Sequence, residues 1–112
     1  MHGLPRLARL LDGRAFRRVF DNRQAYANAY FRIHHAPSDQ PRLGMAVSRR
    51  VSLRAVVRNR IRRQIRETFR LRRAQLPARD FVVLARPEAA GLDRQALRQS
   101  LEQLWQRFDL NE

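Results

Sequence analysis

Residues 57–70, which read VRNRIRRQIRETFR, decide the fold of this chain and indicate its partner. At 100° per residue one side of a helix collects the packing residues of this stretch: Val57, Ile61, Ile65, Thr68 and Phe69. The other side collects arginines and one asparagine: Asn59, Arg62, Arg63, Arg66 and Arg70. The spacing therefore predicts an amphipathic helix that packs on one face and meets phosphates with the other.

The wider segment 49–73 holds eleven arginines and a single acidic residue, Glu67. The whole chain of 112 residues has 24 basic and 10 acidic residues, a net charge of +14, and every basic residue is arginine. Solvated helices usually mix charges, since like charges at i, i+4 are destabilising. A single-sign array requires an anionic partner, nucleic acid first and an anionic membrane second. Arginine-only usage fits codon bias in a GC-rich genome, but guanidinium groups also grip phosphates bidentately.

The first half of the chain predicts an arm, a helix and two strands. Residues 1–11 are expected to form a flexible basic arm, and Asp12 caps a helix that runs to about Asp21. Alternation over 26–35 predicts one strand with Tyr30, Arg32 and His34 on one face and Phe31 and Ile33 on the other. A turn over 37–41 precedes a short apolar strand over 43–47.

The second half continues with the basic helix, which Pro77 ends. The continuous apolar run over 81–85 is typical of a strand covered on both faces. Asp93 caps a last helix with its apolar side at Leu97, Leu101, Leu104, Trp105 and Phe108. The order αβ(β)βαβα in a chain this short predicts one α+β domain over 1–112, an α/β sandwich with helices covering a small sheet.

No catalytic or metal-binding constellation is visible in the sequence. There is no cysteine, the carboxylates are scattered singly, and His34 and His35 point to opposite strand faces. We therefore expect no catalytic residue, no metal site, no cofactor held by the protein alone and no small-molecule substrate. No apolar run has the length of a signal peptide or a membrane span, so a cytoplasmic protein without membrane contact is expected.

Aromatic residues give a further hint. Phe16 and Phe20 on the first helix, with Tyr30 and His34 on one strand face, would line a cleft in which unpaired bases stack. The alternative, that Phe16 and Phe20 only pack the core, remains open at this point.

Residues 58–69, RNRIRRQIRETF, resemble the signature of the bacterial ribonuclease P protein component. Further stretches resemble that family in the same order: Phe16, Val19 and Phe20; 43–47 with Arg49 and Arg50; Leu76 and Pro77 before 80–85; Leu104 and Trp105. The chain departs from the family pattern at Arg62, where lysine is usual, at His34, where an aromatic residue is frequent, and at 51–53, where many members have glycine.

The resemblance implies an αβββαβα fold with a mostly antiparallel sheet and a left-handed β3-α2-β4 crossover, like the second domain of ribosomal protein S5. It implies a subunit that pairs 1:1 with a catalytic RNA and helps to remove the 5′ leader from precursor tRNA, with Mg²⁺ held mainly by RNA. It assigns RNA-subunit contacts to the basic segment: Arg49, Arg50, Arg54, Arg58, Asn59, Arg60, Arg62, Arg63, Arg66 and Arg70. It assigns the leader to a cleft of Phe16, Arg17, Phe20, Tyr30, Arg32 and His34.

Two other functions fit a small basic chain without catalytic residues, those of a ribosomal protein and of an architectural DNA-binding protein. Neither predicts an Arg-Asn-Arg helix together with a flanking aromatic strand.

Overall fold

The structure is a computed structural model that describes residues 12–108; the expected arm over 1–11 lies outside the described residues. Seven elements follow one another: α1 (Gly13–Asp21), β1 (Gln24–Ala27), β2 (Phe31–Pro37), β3 (Arg42–Ala46), α2 (Ala55–Arg72), β4 (Arg79–Ala85) and α3 (Arg94–Trp105). Short 3₁₀ turns follow α2, β4 and α3, at Arg73–Gln75, Pro87–Gly91 and Gln106–Phe108.

The four strands form one mixed sheet in the order β1-β2-β4-β3. β1 and β4 each pair with β2 in antiparallel fashion, whereas β3 pairs with β4 in parallel. Because parallel neighbours cannot be joined by a tight turn, α2 has to cross from β3 to β4. The predicted fold class, a mostly antiparallel sheet with helices on it in the order αβββαβα, is confirmed.

Helices cover both faces of the sheet, as the apolar run over 81–85 predicts. Phe81 and Val83 of β4 face the main core, which α2 and α3 complete. Val82, between them, faces the other way and packs with Val19 of α1 and Ala36 of β2. The main core contains a ring cluster in which Trp105 lies 5.4 Å from Phe81 and 5.6 Å from Phe69, between ring centroids. The helix α1 is thus held by a small apolar cluster of its own, separate from the main core.

The prediction of one strand over 26–35 is wrong, because the segment is a hairpin. The turn at 28–30 is closed by Asn28, whose side-chain oxygen accepts the N–H groups of Tyr30 and Phe31, both at 2.9 Å. The Asn28 N–H in turn donates to the Phe31 carbonyl at 2.9 Å. No glycine or proline marks this turn, and asparagine makes it by bonding to the backbone ahead of it.

The other predicted elements are confirmed with shifted ends; the largest shift is at α2, which ends at Arg72 and is followed by the 3₁₀ turn Arg73–Gln75 before Pro77. Asp12 caps α1 by accepting the N–H of Ala15 at 2.8 Å, and Asp93 caps α3 by accepting the N–H of Ala96 at 2.9 Å. The buried side of α2 is the predicted one with one addition: Val57, Ile61, Gln64, Ile65, Thr68 and Phe69. Thr68 is held there by the indole of Trp105, which donates to its hydroxyl at 2.9 Å.

Candidate nucleic-acid interface

Five arginines of the basic segment are exposed and, among residues 12–108, have no hydrogen bond or ion pair from their side chains: Arg49, Arg50, Arg54, Arg63 and Arg66. Three of them lie at or before the start of α2, and two lie on the helix itself. Unpaired guanidinium groups in water keep all five donors free. The side chains of these five arginines are therefore available to an anionic partner.

Four further arginines of the predicted RNA-subunit contacts are engaged within the protein. Arg58 donates to the Ser52 carbonyl at 2.9 Å, and Arg60 donates to the Ala90 carbonyl at 3.4 Å. Arg70 pairs with Glu67 at 2.8 Å, which raises the pKa of the guanidinium and lowers the pKa of the carboxyl through the shared hydrogen bond. The fourth, Arg62, has two partners on different elements.

Arg62 joins α2 to the end of β3. Its Nη1 donates to Asn59 Oδ1 at 2.9 Å and its Nη2 donates to the Val47 carbonyl at 3.2 Å. The Asn59 side chain is therefore fixed by the arginine one turn along. Arg62 has both a structural role and remaining donors, unlike the free Arg66 on the same side of the helix.

The segment before α2 turns without glycine. Ser48 Oγ accepts the N–H of Arg50 at 3.2 Å, and Ser52 Oγ accepts the N–H of Arg54 at 3.1 Å. Serine hydroxyls bond to backbone two residues ahead in such turns. The departure from the family pattern at 51–53 is thus accommodated by two serines.

A second surface lies on the opposite face of the sheet, beside α1. We name it the α1 shelf, and it consists of Phe16, Phe20, Arg32, His34 and Leu84. The ring of Phe20 is 36% exposed and meets the His34 ring edge to face, with 4.8 Å between centroids. Phe16 is half-buried and packs with Leu84 on the small cluster under α1. The register pairs Arg32 with Leu84 across β2 and β4, so both side chains emerge on this face.

Four of the six predicted leader residues therefore lie on the α1 shelf: Phe16, Phe20, Arg32 and His34. Tyr30 lies in the hairpin turn and packs against the main core, in a depression that it shares with Leu92 and Ala96. The prediction that Tyr30 lies on the strand face followed from the prediction of a single strand over 26–35, and both are wrong. Arg17 is exposed on α1 next to Phe16.

The two adjacent histidines are both held neutral. Burial and the neighbouring Arg32 lower the pKa of His34, so its ring presents an uncharged surface on the α1 shelf. Burial lowers the pKa of His35 to about 4, with Arg79 and His34 adding to the effect. His35 faces the main core, stacked on Tyr26 at 5.5 Å and edge-on to Phe108 at 4.8 Å.

Asp80 was missed by the sequence analysis. This fully buried carboxylate at the start of β4 accepts Arg42 Nε at 2.7 Å and Arg42 Nη2 at 2.8 Å, and it also accepts Arg18 of α1. Arg18 donates in addition to the Pro37 carbonyl at 3.0 Å. An isolated aspartate before an apolar run gives no hint of this, since its partners come from one strand and one helix that only the fold brings together.

Residues 12–108 contain no group of three histidine, aspartate or glutamate side chains that could hold a metal ion. Within the same range, no helix has the length and apolar character needed to cross a membrane.

Comparisons with known proteins all find the same family. The sequence model of the family described as Ribonuclease P matches residues 4–109. The Ribonuclease P protein component of Thioalkalivibrio sulfidiphilus is 39% identical over 108 residues, covering 95% of this chain and 90% of the relative. That of Escherichia coli O157:H7 is 43% identical over 105 residues, covering 92% and 88%.

Solved structures agree. The RNase P protein of Staphylococcus aureus superimposes with a TM-score of 0.84 at 30% identity, covering 89% of this chain and 94% of that one. The RNase P protein of Thermotoga maritima gives a TM-score of 0.78 at 29% identity, covering 90% and 97%.

Proposed function

The chain belongs to the ribonuclease P protein component family, and from this premise we propose that it serves the ribonucleoprotein at two separate surfaces. It is the RNA-binding subunit of a tRNA-processing endoribonuclease and acts together with the RNase P RNA. The proposal concerns which residues meet which RNA: the basic segment binds the RNA subunit, and the α1 shelf binds the 5′ leader of precursor tRNA.

Unpaired charge on the basic segment carries the first assignment. None of the five free arginines makes a side-chain hydrogen bond or ion pair within residues 12–108: Arg63 and Arg66 on α2, and Arg49, Arg50 and Arg54 before it. The charge of Glu67 acts on Arg63, but Glu67 is itself paired with Arg70. Phosphate contacts release counterions from RNA and supply most of the affinity of such interfaces. Arg58, Arg60 and Arg62 tie the first half of α2 to neighbouring segments, and their remaining donors extend the same surface.

The chemistry of the α1 shelf supports the second assignment. Phe20 offers an exposed aromatic face, His34 adds a neutral ring at 4.8 Å, and exposed Arg32 adds a cation on the same strand. Single-stranded RNA binds to stacking platforms flanked by positive charge, with about 1–3 kcal/mol for each stacked base. A 5′ leader is single-stranded, so it fits this shelf, whereas a duplex does not expose base faces.

The protein's share of catalysis is positional in this proposal. Its own carboxylates do not form a metal site within residues 12–108, so we assign the Mg²⁺ of the holoenzyme mainly to RNA. Holding the leader fixes the adjacent cleavage site relative to the RNA subunit, which lowers the entropic cost of reaching the reactive geometry. One protein chain for each RNA subunit, acting in the cytoplasm, completes the proposal, and a native mass measurement of the holoenzyme checks the ratio.

Affinity for tRNA with and without a leader tests the leader assignment. Phe20→Ala should weaken holoenzyme binding of a precursor tRNA by roughly fivefold, on the order of 1 kcal/mol, and leave binding of mature tRNA unchanged. Leu71→Ala is the matched control, because it truncates a 52% exposed side chain on α2, far from α1. Equal losses for both tRNAs would mean that Phe20 only packs against His34.

A further inference from the structure

A groove between α2 and α3 lies beside the basic segment and shares Arg63 with it. We name it the α2–α3 groove, and its walls are Arg63, Gln64 and Glu67 of α2 and Arg94, Arg98 and Glu102 of α3. Towards the start of α2 it continues into a second depression of about 660 Å³ that shares Arg63, Gln64 and Arg94. The two depressions meet at these three side chains.

Gln64 is the unusual member of this set. Its side chain is 4% exposed, it lines both depressions, and its Oε1 has no hydrogen-bond partner among residues 12–108. Buried polar atoms almost always have a hydrogen-bond partner, and a buried oxygen without one destabilises the folded state. A group that donates a hydrogen bond from within the groove would remove this cost.

The charge of the groove indicates what such a ligand carries. The depression at the start of α2 is lined by Arg60, Arg63, Arg66 and Arg94 without any acidic residue. Arg63, Arg94 and Arg98 make no side-chain hydrogen bond or ion pair within residues 12–108, although Arg63 and Arg98 interact electrostatically with Glu67, which is paired with Arg70. The two depressions together carry five arginines against two acidic residues, Glu67 and Glu102. The ligand is therefore anionic, and it has to reach guanidinium groups on two helices at once.

The apolar rim favours RNA over an acidic peptide. Val56 lines the same depression and is 62% exposed, which gives a sugar or base an apolar contact beside the arginines. RNA presents phosphates, 2′-hydroxyl donors and base amino donors along one strand. Arginines bind phosphates, and the Gln64 oxygen accepts a hydrogen bond from a hydroxyl or amino donor. One RNA strand therefore matches the arginines, the Gln64 oxygen and the apolar contact at Val56.

The position of the groove identifies which RNA it is. α2 and α3 pack on the sheet face of Phe81 and Val83, whereas α1 packs on the face of Val82. A leader on the α1 shelf is thus separated from the groove by the whole sheet. The groove instead continues the basic surface of α2.

We infer that the α2–α3 groove binds a strand of the RNA subunit, with Arg63, Arg94 and Arg98 on phosphates and Gln64 accepting a hydrogen bond from a 2′-hydroxyl or base amino group. This inference rests on the proposed function and extends the RNA-subunit interface onto α3, the helix whose apolar side packs in the main core.

Gln64→Leu gives the sharpest test, because it changes two quantities in opposite directions. Leucine has a similar size and no unsatisfied oxygen, so the free full-length protein should melt at a higher temperature. The loss of the hydrogen bond should weaken binding to the purified RNA subunit by roughly three- to tenfold. A purely structural role would move stability alone, and unchanged RNA affinity would overturn the inference.

Arg94→Ala with Arg98→Ala tests the phosphate contacts. Both positions are exposed on a helix that keeps its Asp93 cap, so folding should be preserved. The slope of log affinity against log salt should flatten by roughly 0.7–0.9 for each lost contact. Arg86→Ala removes one positive charge outside the groove and should leave the slope nearly unchanged.

The possible outcomes separate this inference from the proposed function. If the α3 double variant binds the RNA subunit like wild type while Arg66→Ala weakens binding, the groove inference fails and the proposed function stands. If Arg66→Ala also has no effect, the assignment of α2 to the RNA subunit fails as well. A loss confined to tRNA affinity would assign the groove to the substrate and overturn the inference. If the groove variants bind every RNA like wild type, the groove would have to bind a protein instead, and the inference would likewise be overturned.

Discussion

Asp80→Asn should loosen α1 from the sheet, because this carboxylate joins three elements. It belongs to β4, it accepts two hydrogen bonds from Arg42 of β3, and it accepts a hydrogen bond from Arg18 of α1. Apart from these bonds, α1 is held on the sheet mainly by Val19 and its small apolar cluster. Asparagine keeps the volume of the side chain and one acceptor oxygen but removes the charge that holds two guanidinium groups.

The size of the effect follows from the exposure of the partners. Removing one member of a buried ion pair costs about 3–5 kcal/mol when the remaining charge stays buried. Here the side chains of Arg18 and Arg42 are 48% and 33% exposed, so water can solvate them after the change. We therefore expect a loss of about 1.5–3 kcal/mol in the free energy of unfolding.

Urea denaturation at constant ionic strength measures this loss, with Glu67→Gln as the matched control. Glu67 pairs with Arg70 on the exposed side of α2, so its neutralisation should cost less than about 1 kcal/mol. Both variants gain one unit of positive charge, so a general charge effect cancels between them. In the holoenzyme, Asp80→Asn should lower the preference for precursor over mature tRNA and leave RNA-subunit affinity within about twofold. Equal stability of the two variants would refute the role assigned to Asp80.

Two further predictions follow from named contacts. Since the folded pKa of His35 is about 4 and its ordinary value is 6.5, the unfolded chain binds this proton more readily. The contribution of neutral His35 to the free energy of unfolding should be fully present above about pH 6.5 and should fall by at most about 3 kcal/mol as the pH drops towards 4. His35→Leu should flatten this pH dependence, measured by urea unfolding. Arg66→Ala should reduce the salt slope of RNA-subunit binding by about one without changing stability. Arg62→Ala should lower both the salt slope and the free energy of unfolding, because it also releases Asn59 and the Val47 carbonyl. The loss in the free energy of unfolding should be about 1 kcal/mol, measured by urea unfolding.

The basic helix was predictable because its packing residues repeat at helical spacing. Val57, Ile61 and Ile65 are buried as the period requires, and the capping aspartates of α1 and α3 act as their positions predict. Local signals of this kind depend on residues within a turn or two of each other.

The missed features depend on contacts that local patterns do not encode. The Asn28 side chain makes the hairpin turn at 28–30, whereas the alternation of apolar and polar residues continues through it. For this reason the sequence wrongly placed Tyr30 on a strand face. Arg62 and Arg66 share one side of the helix by angle, yet only Arg62 reaches the Val47 carbonyl. The role of Asp80 requires the register of β3 on β4, and the α2–α3 groove requires the packing of two helices far apart in sequence.

Single-turnover cleavage of precursor tRNA tests the central claim most directly, namely that this chain positions RNA and leaves the chemistry to its RNA partner. The comparison needs the protein alone, the RNA subunit alone over a range of Mg²⁺ concentrations, and the two together. The protein alone should cleave nothing, and its addition should lower the Mg²⁺ concentration that the RNA subunit requires, because arginines neutralise phosphates that the metal otherwise screens. Metal-dependent cleavage at the mature 5′ end by rigorously RNA-free protein would contradict the claim.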